Sequence, residues 1–350
     1  MIDRERVIRS LTWDNPNSLV VESYFSAATW KKYREKLVPY ARRIANDFTV
    51  FGIPANFDKM PVSYGRDEIY EDRWGCVWNC RVAGMQGIIS RHPLAGGFDK
   101  LKAPDPSVTN DLYPWDQKEF ETALAENVKS GKFIICGYER LWERVHFLRG
   151  YENAMVDLAL GEQGIIDLIE TIVEYNIEST KKYLQYPEVD CIGFQDDWGE
   201  QRRLMVSPEM WREYFFEGYK KMFRSVKDAG KYVYFHTDGY LLPVIDDFRR
   251  AGVDVINLQS GCHTLDELYG ACYRNICVSV DVDRQKIMPF AKPDGVKKHI
   301  RDFYNKLKGA EGGVWAKIDV YPDTPLANIN AMCEVLDEIR EGSGNGVLSQ

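Results

Sequence analysis

Two ionisable residues that share one face of an extended chain can act together on a ligand. His236-Thr237-Asp238-Gly239 offers such a pair, because residues two apart on a strand point to the same side. A His-x-Asp pair can bind a metal, hold an imidazole in one tautomer, or stabilise the turn into Gly239. Upstream, Gln195-Asp196-Asp197 places two carboxylates side by side, with Glu200 and Gln201 in the same loop. On a strand, adjacent residues face opposite ways, so one of Asp196 and Asp197 is expected to face a pocket. Asn257 and Gln259, Asp281 and Asp283, and Asp319 complete a series of polar residues that each follow an apolar run. One Asp or Asn per site would be explained by helix capping. Five such sites, four of them with two or three polar residues, call for more than capping.

The runs that carry these residues are short and apolar: Phe133 to Gly137, Asp190 to Phe194, Tyr232 to Phe235, Val253 to Leu258, Ile276 to Val280 and Gly313 to Ile318. Between them lie stretches of helical periodicity. Gly161 to Leu184 repeats apolar residues every three or four positions. Ser207 to Ala229 opens on a Ser N-cap followed by Pro208 and ends at Gly230. Helices are also expected over 240–251, 264–271 and 293–307, and a last one after Asp323-Thr324-Pro325, running to Arg340. Strands of four to six apolar residues alternating with helices build a parallel sheet covered on both faces. No glycine-rich phosphate loop follows an early strand, and at least six βα units can be counted. The expected fold is therefore α/β, a single distorted (β/α)8 TIM-type barrel, whose chemistry sits at the carboxyl ends of its strands.

The whole chain, 1–350, reads as one barrel domain. Residues 1–130 form an aromatic, irregular N-terminal elaboration with the first strands, and 131–341 carry the regular βα units. In the first part, a helix from Ala27 to Asn46 divided at Pro39 and a strand from Phe48 to Ile53 are expected. The tryptophans there, Trp74 and Trp78 among them, can pack a core or sandwich a flat substrate.

The 350 residues are 45% hydrophobic and 28% charged, the balance of a globular protein with a large core, and the net charge of −8 argues against a nucleic-acid surface. No apolar run approaches the roughly 18 residues of a membrane span, and Met1-Ile-Asp-Arg-Glu-Arg does not resemble a secretory signal. The eight cysteines are scattered, without a C-x-x-C, and several lie in strand-like runs. They are expected to be reduced, mostly buried thiols of a cytoplasmic protein. His92, His146 and His299 read as structural, and His263 as a solvated loop residue.

Several short motifs, in order, resemble the uroporphyrinogen decarboxylase superfamily. They are Asp72-Arg-Trp-Gly-Cys-Val-Trp78, Lys102-Ala-Pro-Asp-Pro106, Phe194-Gln-Asp-Asp-Trp-Gly-Glu-Gln201, Ser207-Pro-Glu-Met-Trp211 and His236-Thr-Asp-Gly239. Ala251-Gly-Val-Asp254, Val280-Asp-Val-Asp-Arg-Gln285 and Asp323-Thr-Pro-Leu-Ala-Asn328 follow. The resemblance runs from about residue 60 to the end, and it too implies a distorted (β/α)8 barrel. True decarboxylases of porphyrinogens carry an arginine-rich Met-Arg-Gln-Ala-Gly-Arg segment for a polyanionic substrate, and this sequence has no counterpart. The resemblance is nearer the corrinoid-dependent methyltransferases. Their coenzyme M members bind zinc through a His-x-Cys pair and a later cysteine. Here those positions hold His236, Asp238 and Ile318, the last beside Asp319.

The resemblance implies an O-demethylase component: a methyltransferase moving a methyl group from a small methylated substrate, such as an aromatic methyl ether, to a corrinoid protein. The cofactors implied are a corrinoid on that partner and zinc on this chain, held by His236 and Asp238. His236, Asp238 and Asp197 are the expected catalytic residues. Gln201, Gln259, Asp281, Asp319 and Trp74 are expected to bind substrate. The expected partners are the small-molecule methyl donor, a corrinoid-binding protein and a second copy of the chain. Two other readings stay open: a decarboxylase or lyase acting on a small carboxylate, and a non-catalytic barrel that binds a tetrapyrrole or corrinoid.

Overall fold

The strands run, in chain order, β1 Val20–Phe25, β2 Ile69–Glu71, β3 Val77–Asn79, β4 Ile88–Arg91, β5 Thr109–Asn110, β6 Tyr113–Pro114, β7 Ile135–Glu139, β8 Cys191–Gln195, β9 Tyr232–Thr237, β10 Val255–Leu258, β11 Cys277–Asp281 and β12 Val314–Val320. The computed structural model describes residues 3–342 apart from 17, 50–52, 55, 58–68, 82–86 and 111–112. The fold class is the α/β one expected, that of a distorted (β/α)8 barrel: β7 to β12 are each followed by helix and pair in parallel. The packing separates two compact units, one of residues 1–61, 124–134 and 254–350, the other of 62–123 and 135–253.

In the first unit the parallel order is β1-β12-β11-β10, with Val20 opposite Trp315 and Val278 opposite Val314. Every residue of β10 and β11 is buried, as strands covered on both faces require. β1 was not expected from the sequence. The expected strand at 48–53 is absent over its described residues Phe48, Thr49 and Ile53. Phe48 instead packs its ring on Phe133 and Trp315.

The helix expected over 27–46 is divided, but not at Pro39. Ala27–Tyr33 ends where Arg34 takes φ +51°, a 3-10 turn covers Arg34–Leu37, and Pro39 sits in the first turn of Val38–Arg43. There its missing N–H costs no helical bond.

In the second unit β7-β8-β9 is parallel, and β2-β3-β4 forms a small antiparallel sheet. The register between β7 and β8 slips between Gly137 and Glu139, where Tyr138 has φ +80°. The long helix Gln163–Leu184 buries Ile165, Leu168, Ile169, Ile172 and Val173, the spacing read from the sequence. Ser207 caps the next helix by accepting from Met210 N, as expected. That helix is broken into Pro208–Tyr214 and Phe216–Asp228. The segment after β7 is likewise two helices, Trp142–Arg149 and Tyr151–Leu160, parted at Gly150 with φ +86°. All eight cysteines are free thiols, seven of them buried. Among the described residues no helix is long and apolar enough to cross a membrane.

Candidate functional site

His236 is the penultimate residue of β9 and lies opposite Gln195, the last residue of β8. Beyond these residues the two chains leave the sheet together. Asp196 N donates to His236 O (3.0 Å), Trp198 N to Thr237 Oγ1 (3.2 Å), Gly199 N to Asp238 O (3.1 Å) and Tyr240 N to Glu200 O (2.8 Å). The approach is so close that side chains are excluded. A Cβ on Gly239, which has φ +81°, would lie 2.0 Å from Gly199 O, and one on Gly199 would lie 2.3 Å from Tyr240 N. These glycines are demanded by backbone contact and, at Gly239, by the left-handed φ.

The stitched loops turn three side chains toward one point. The Nε2 of His236 is 3.9 Å from Asp238 Oδ1 and 4.0 Å from Asp197 Oδ1. One ligand atom from each of the three lies within 4.8 Å of the others, and all three residues are half-buried. Asp197 is fixed by accepting from the backbone N–H of Asp238 (2.9 Å). An imidazole nitrogen and two carboxylate oxygens are a donor set suited to zinc, and three protein ligands leave a position open. Among the described residues no other group of three His, Cys, Asp or Glu side chains comes as close.

The adjacent carboxylate goes the other way. Asp196 is fully buried and accepts from Leu141 N (2.8 Å), Glu143 N (2.7 Å) and Tyr219 Oη (2.6 Å). It caps the first turn of Trp142–Arg149, where backbone N–H groups lack helical partners. Burial pushes its pKa up to about 7, against the hydrogen bonds from Tyr219 and the backbone amides of Glu143, Leu141 and Trp142, which pull it down. Of the pair, Asp197 is thus the one that faces His236.

Other expected site residues are placed as follows. Gln201 is exposed in the loop after the cluster. Trp74 is buried, edge-on to Tyr175 (4.6 Å) and beneath the guanidinium of Arg144 (5.2 Å), with its amide held by Asp72. In the other unit, Asp281 ends β11, buried, and accepts from Asn257 Nδ2 (2.8 Å). Arg284 Nη1 stands 3.4 Å from Asp319 and 3.9 Å from Asp281, tying the ends of β11 and β12. Two residues earlier on β12, Lys317 pairs with Glu22 of β1 (3.1 Å). Gln259 is buried, its side-chain oxygen accepting from Cys262 Sγ (3.4 Å).

Arg284, Lys317 and Glu22 were not singled out in the sequence. Arg284 had a visible signal, its place three residues after Asp281 in a motif already noted. Arg140, just past β7 and paired with Glu143 (3.0 Å), had none.

Of the three histidines expected to be structural, His92 and His299 are held by hydrogen bonds, and His146 packs among rings. His92 Nδ1 bonds Phe147 O (2.8 Å), and His299 Nε2 accepts from Asp283 N (3.3 Å). His263 is packed rather than solvated, its Nδ1 on Gln259 O (3.1 Å), and burial lowers its pKa.

Comparison with known proteins bears on the same region. The profile of the family described as Uroporphyrinogen decarboxylase (URO-D) matches residues 145–339, which include the whole Asp197–His236–Asp238 cluster and the ends of β8 to β12. No curated protein matches the chain. Among solved structures, a methyltransferase from Methanosarcina mazei is similar, with a TM-score of 0.69 at 15% identity over 97% of this chain and 99% of that one. At that identity the likeness is one of fold. A B12-independent methionine synthase from Shewanella sp. W3-18-1 aligns with a TM-score of 0.42 at 12% identity, covering 66% of this chain and 70% of that one, and carries no argument. Since the profile spans more than half of the sequence, the chain belongs to the uroporphyrinogen decarboxylase (URO-D) family.

Proposed function

We propose that this chain is a methyltransferase that takes a methyl group from a small methylated substrate, an aromatic methyl ether, and delivers it to a corrinoid carried by a separate protein. The observation that carries the reading is the convergence of Asp197, His236 and Asp238 beyond the ends of β8 and β9. The methyltransferase from Methanosarcina mazei with the same fold supports it.

Asp197, His236 and Asp238 would hold zinc through oxygen and nitrogen. Bound there, the metal would supply a Lewis acid for the oxygen that loses its methyl group. The chain's own part is positional. The backbone ladder between the two loops fixes Asp197 and Asp238, and the Asp238 N–H spends one lone pair of Asp197, which limits how that carboxylate can turn. His236, held on the strand, sets the nitrogen between them. A cluster with two carboxylates and one imidazole repels a polyanion, which favours methyl transfer over decarboxylation of a porphyrinogen.

The test is substrate-dependent methylation of cob(I)alamin, free or protein-bound, under strictly anaerobic conditions, followed by its visible spectrum. Methylated corrinoid should form with at least one aryl methyl ether and should not form with His236→Ala. Release of carbon dioxide from a small acid without any corrinoid would favour a decarboxylase instead. Failure across the methyl-ether panel would overturn the proposal.

A further inference from the structure

A cavity of about 440 Å³ opens between the β3–β4 hairpin and the helices that follow β7. Its size falls in the range that holds small organic ligands, roughly 300–1,000 Å³. Rings make most of the wall: Trp78, His92, His146, Phe147 and Tyr151. Ile88 and Ile89 close the hairpin side. The rings are set at steep angles to one another. Phe147 meets Trp78 at 80° (5.2 Å) and His146 at 80° (4.8 Å), and Tyr151 meets His146 at 81° (5.9 Å). Edges and faces alternating in this way are the surroundings that another flat ring prefers.

The polar groups define the rest of the ligand. The described lining residues include no Lys or Arg, and the carboxylate among them, Glu143, is already paired with Arg140. An anion would find no counter-charge there, and a cation none to spare. His92 donates from Nδ1 to the Phe147 carbonyl (2.8 Å), which fixes its ring on the wall. His146 packs against Trp142, Phe147 and Tyr151, and among the described residues its nitrogens make no hydrogen bond. Burial drives its pKa down to about 3, so it presents one donor and one acceptor as a neutral imidazole. A half-buried polar ring that makes no hydrogen bond among the described residues, on the wall of an aromatic cavity, leaves its nitrogens open to a partner.

We propose that this cavity binds a flat, uncharged hydroxyarene, its ring lying among Trp78, Phe147 and Tyr151 and its hydroxyl bonded to the His146 imidazole. This is the class of compound left when an aryl methyl ether loses its methyl group. The site nevertheless shares no residue with the Asp197–His236–Asp238 cluster and stands or falls apart from it.

Calorimetric titration of the full chain with phenol tests the assignment, with cyclohexanol as the saturated control. Phenol should bind saturably and more tightly than cyclohexanol. His146→Phe keeps the ring and removes its nitrogens, and should weaken phenol by tenfold or more, about 1.4 kcal/mol, whereas His236→Ala should leave it unchanged. Ile89→Trp, on the hairpin side opposite Trp78, fills the space and should abolish binding even if His146→Phe fails to fold. No saturable phenol binding, equal affinity for cyclohexanol, undiminished binding by Ile89→Trp, or loss in His236→Ala would each overturn the proposal.

Discussion

At the scale of single residues, the cluster offers one imidazole and two carboxylates, and Asp238 stands where the resemblance to the coenzyme M methyltransferases places a cysteine. Carboxylates are harder and less polarisable than thiolates, so under the proposed function Asp197 and Asp238 would hold zinc less selectively. The chain equilibrated with zinc and passed through gel filtration should retain about one equivalent by elemental analysis. His236→Ala and Asp238→Ala, each removing a ligand atom, should lose it. Asp197→Asn keeps one oxygen in place and should weaken retention by about tenfold rather than abolish it. Full zinc retention by His236→Ala would place the metal elsewhere.

At the scale of elements, the site is built by two loops pressed backbone to backbone at Gly199 and Gly239. Gly239→Ala adds a Cβ into the Gly199 carbonyl at a φ of +81° and should destabilise the fold by roughly 3 kcal/mol or more. A denaturation midpoint unchanged from the parent would contradict that packing. The same scale decides what the sequence could reveal. β8 to β12 were legible because strands covered on both faces read as apolar runs. β1 was not, since Glu22, Ser23 and Tyr24 interrupt its run and Glu22 serves Lys317 across the ladder. The breaks at Gly150 and Phe215 were hidden because helix resumes at once and the apolar spacing barely changes. The pairing of His236 with Asp238 followed from a spacing of two. The inward turn of Asp197 did not, because β8 ends at Gln195 and strand alternation says nothing about the loop beyond. Nor does a sequence show that Asp196 will be claimed by the first turn of a helix 55 residues earlier.

At the scale of the whole molecule, two buried charge arrangements govern how the protein responds to mutation and to pH. Asp47, fully buried, binds Arg6 of the N-terminal helix, Arg340 of the C-terminal helix (2.6 Å) and Val21 N (2.7 Å), so one carboxylate joins distant parts of the chain within one unit. Asp47→Ala removes the buried carboxylate from both guanidinium groups, leaving Arg6 with Asp3 (2.8 Å), and should cost about 3–5 kcal/mol, read as a lowered urea midpoint. His146 sets a pH dependence. Burial, with His92, Arg144 and Arg140 adding positive charge nearby, keeps its imidazole neutral in the folded state down to about pH 3. In the unfolded chain it takes a proton near pH 6.5. Between those values the unfolded state binds the extra proton, so stability falls as pH drops, by up to about 1.4 kcal/mol per unit from this group. Above pH 6.5 both states are neutral and the slope from His146 vanishes. His146→Phe should therefore flatten the decline in unfolding free energy between pH 6 and pH 4 while leaving the slope above pH 7 as it was. A variant whose acid decline matches that of the parent would mean that the imidazole is already protonated in the folded protein, and the neutral lining inferred for the aromatic cavity would go with it.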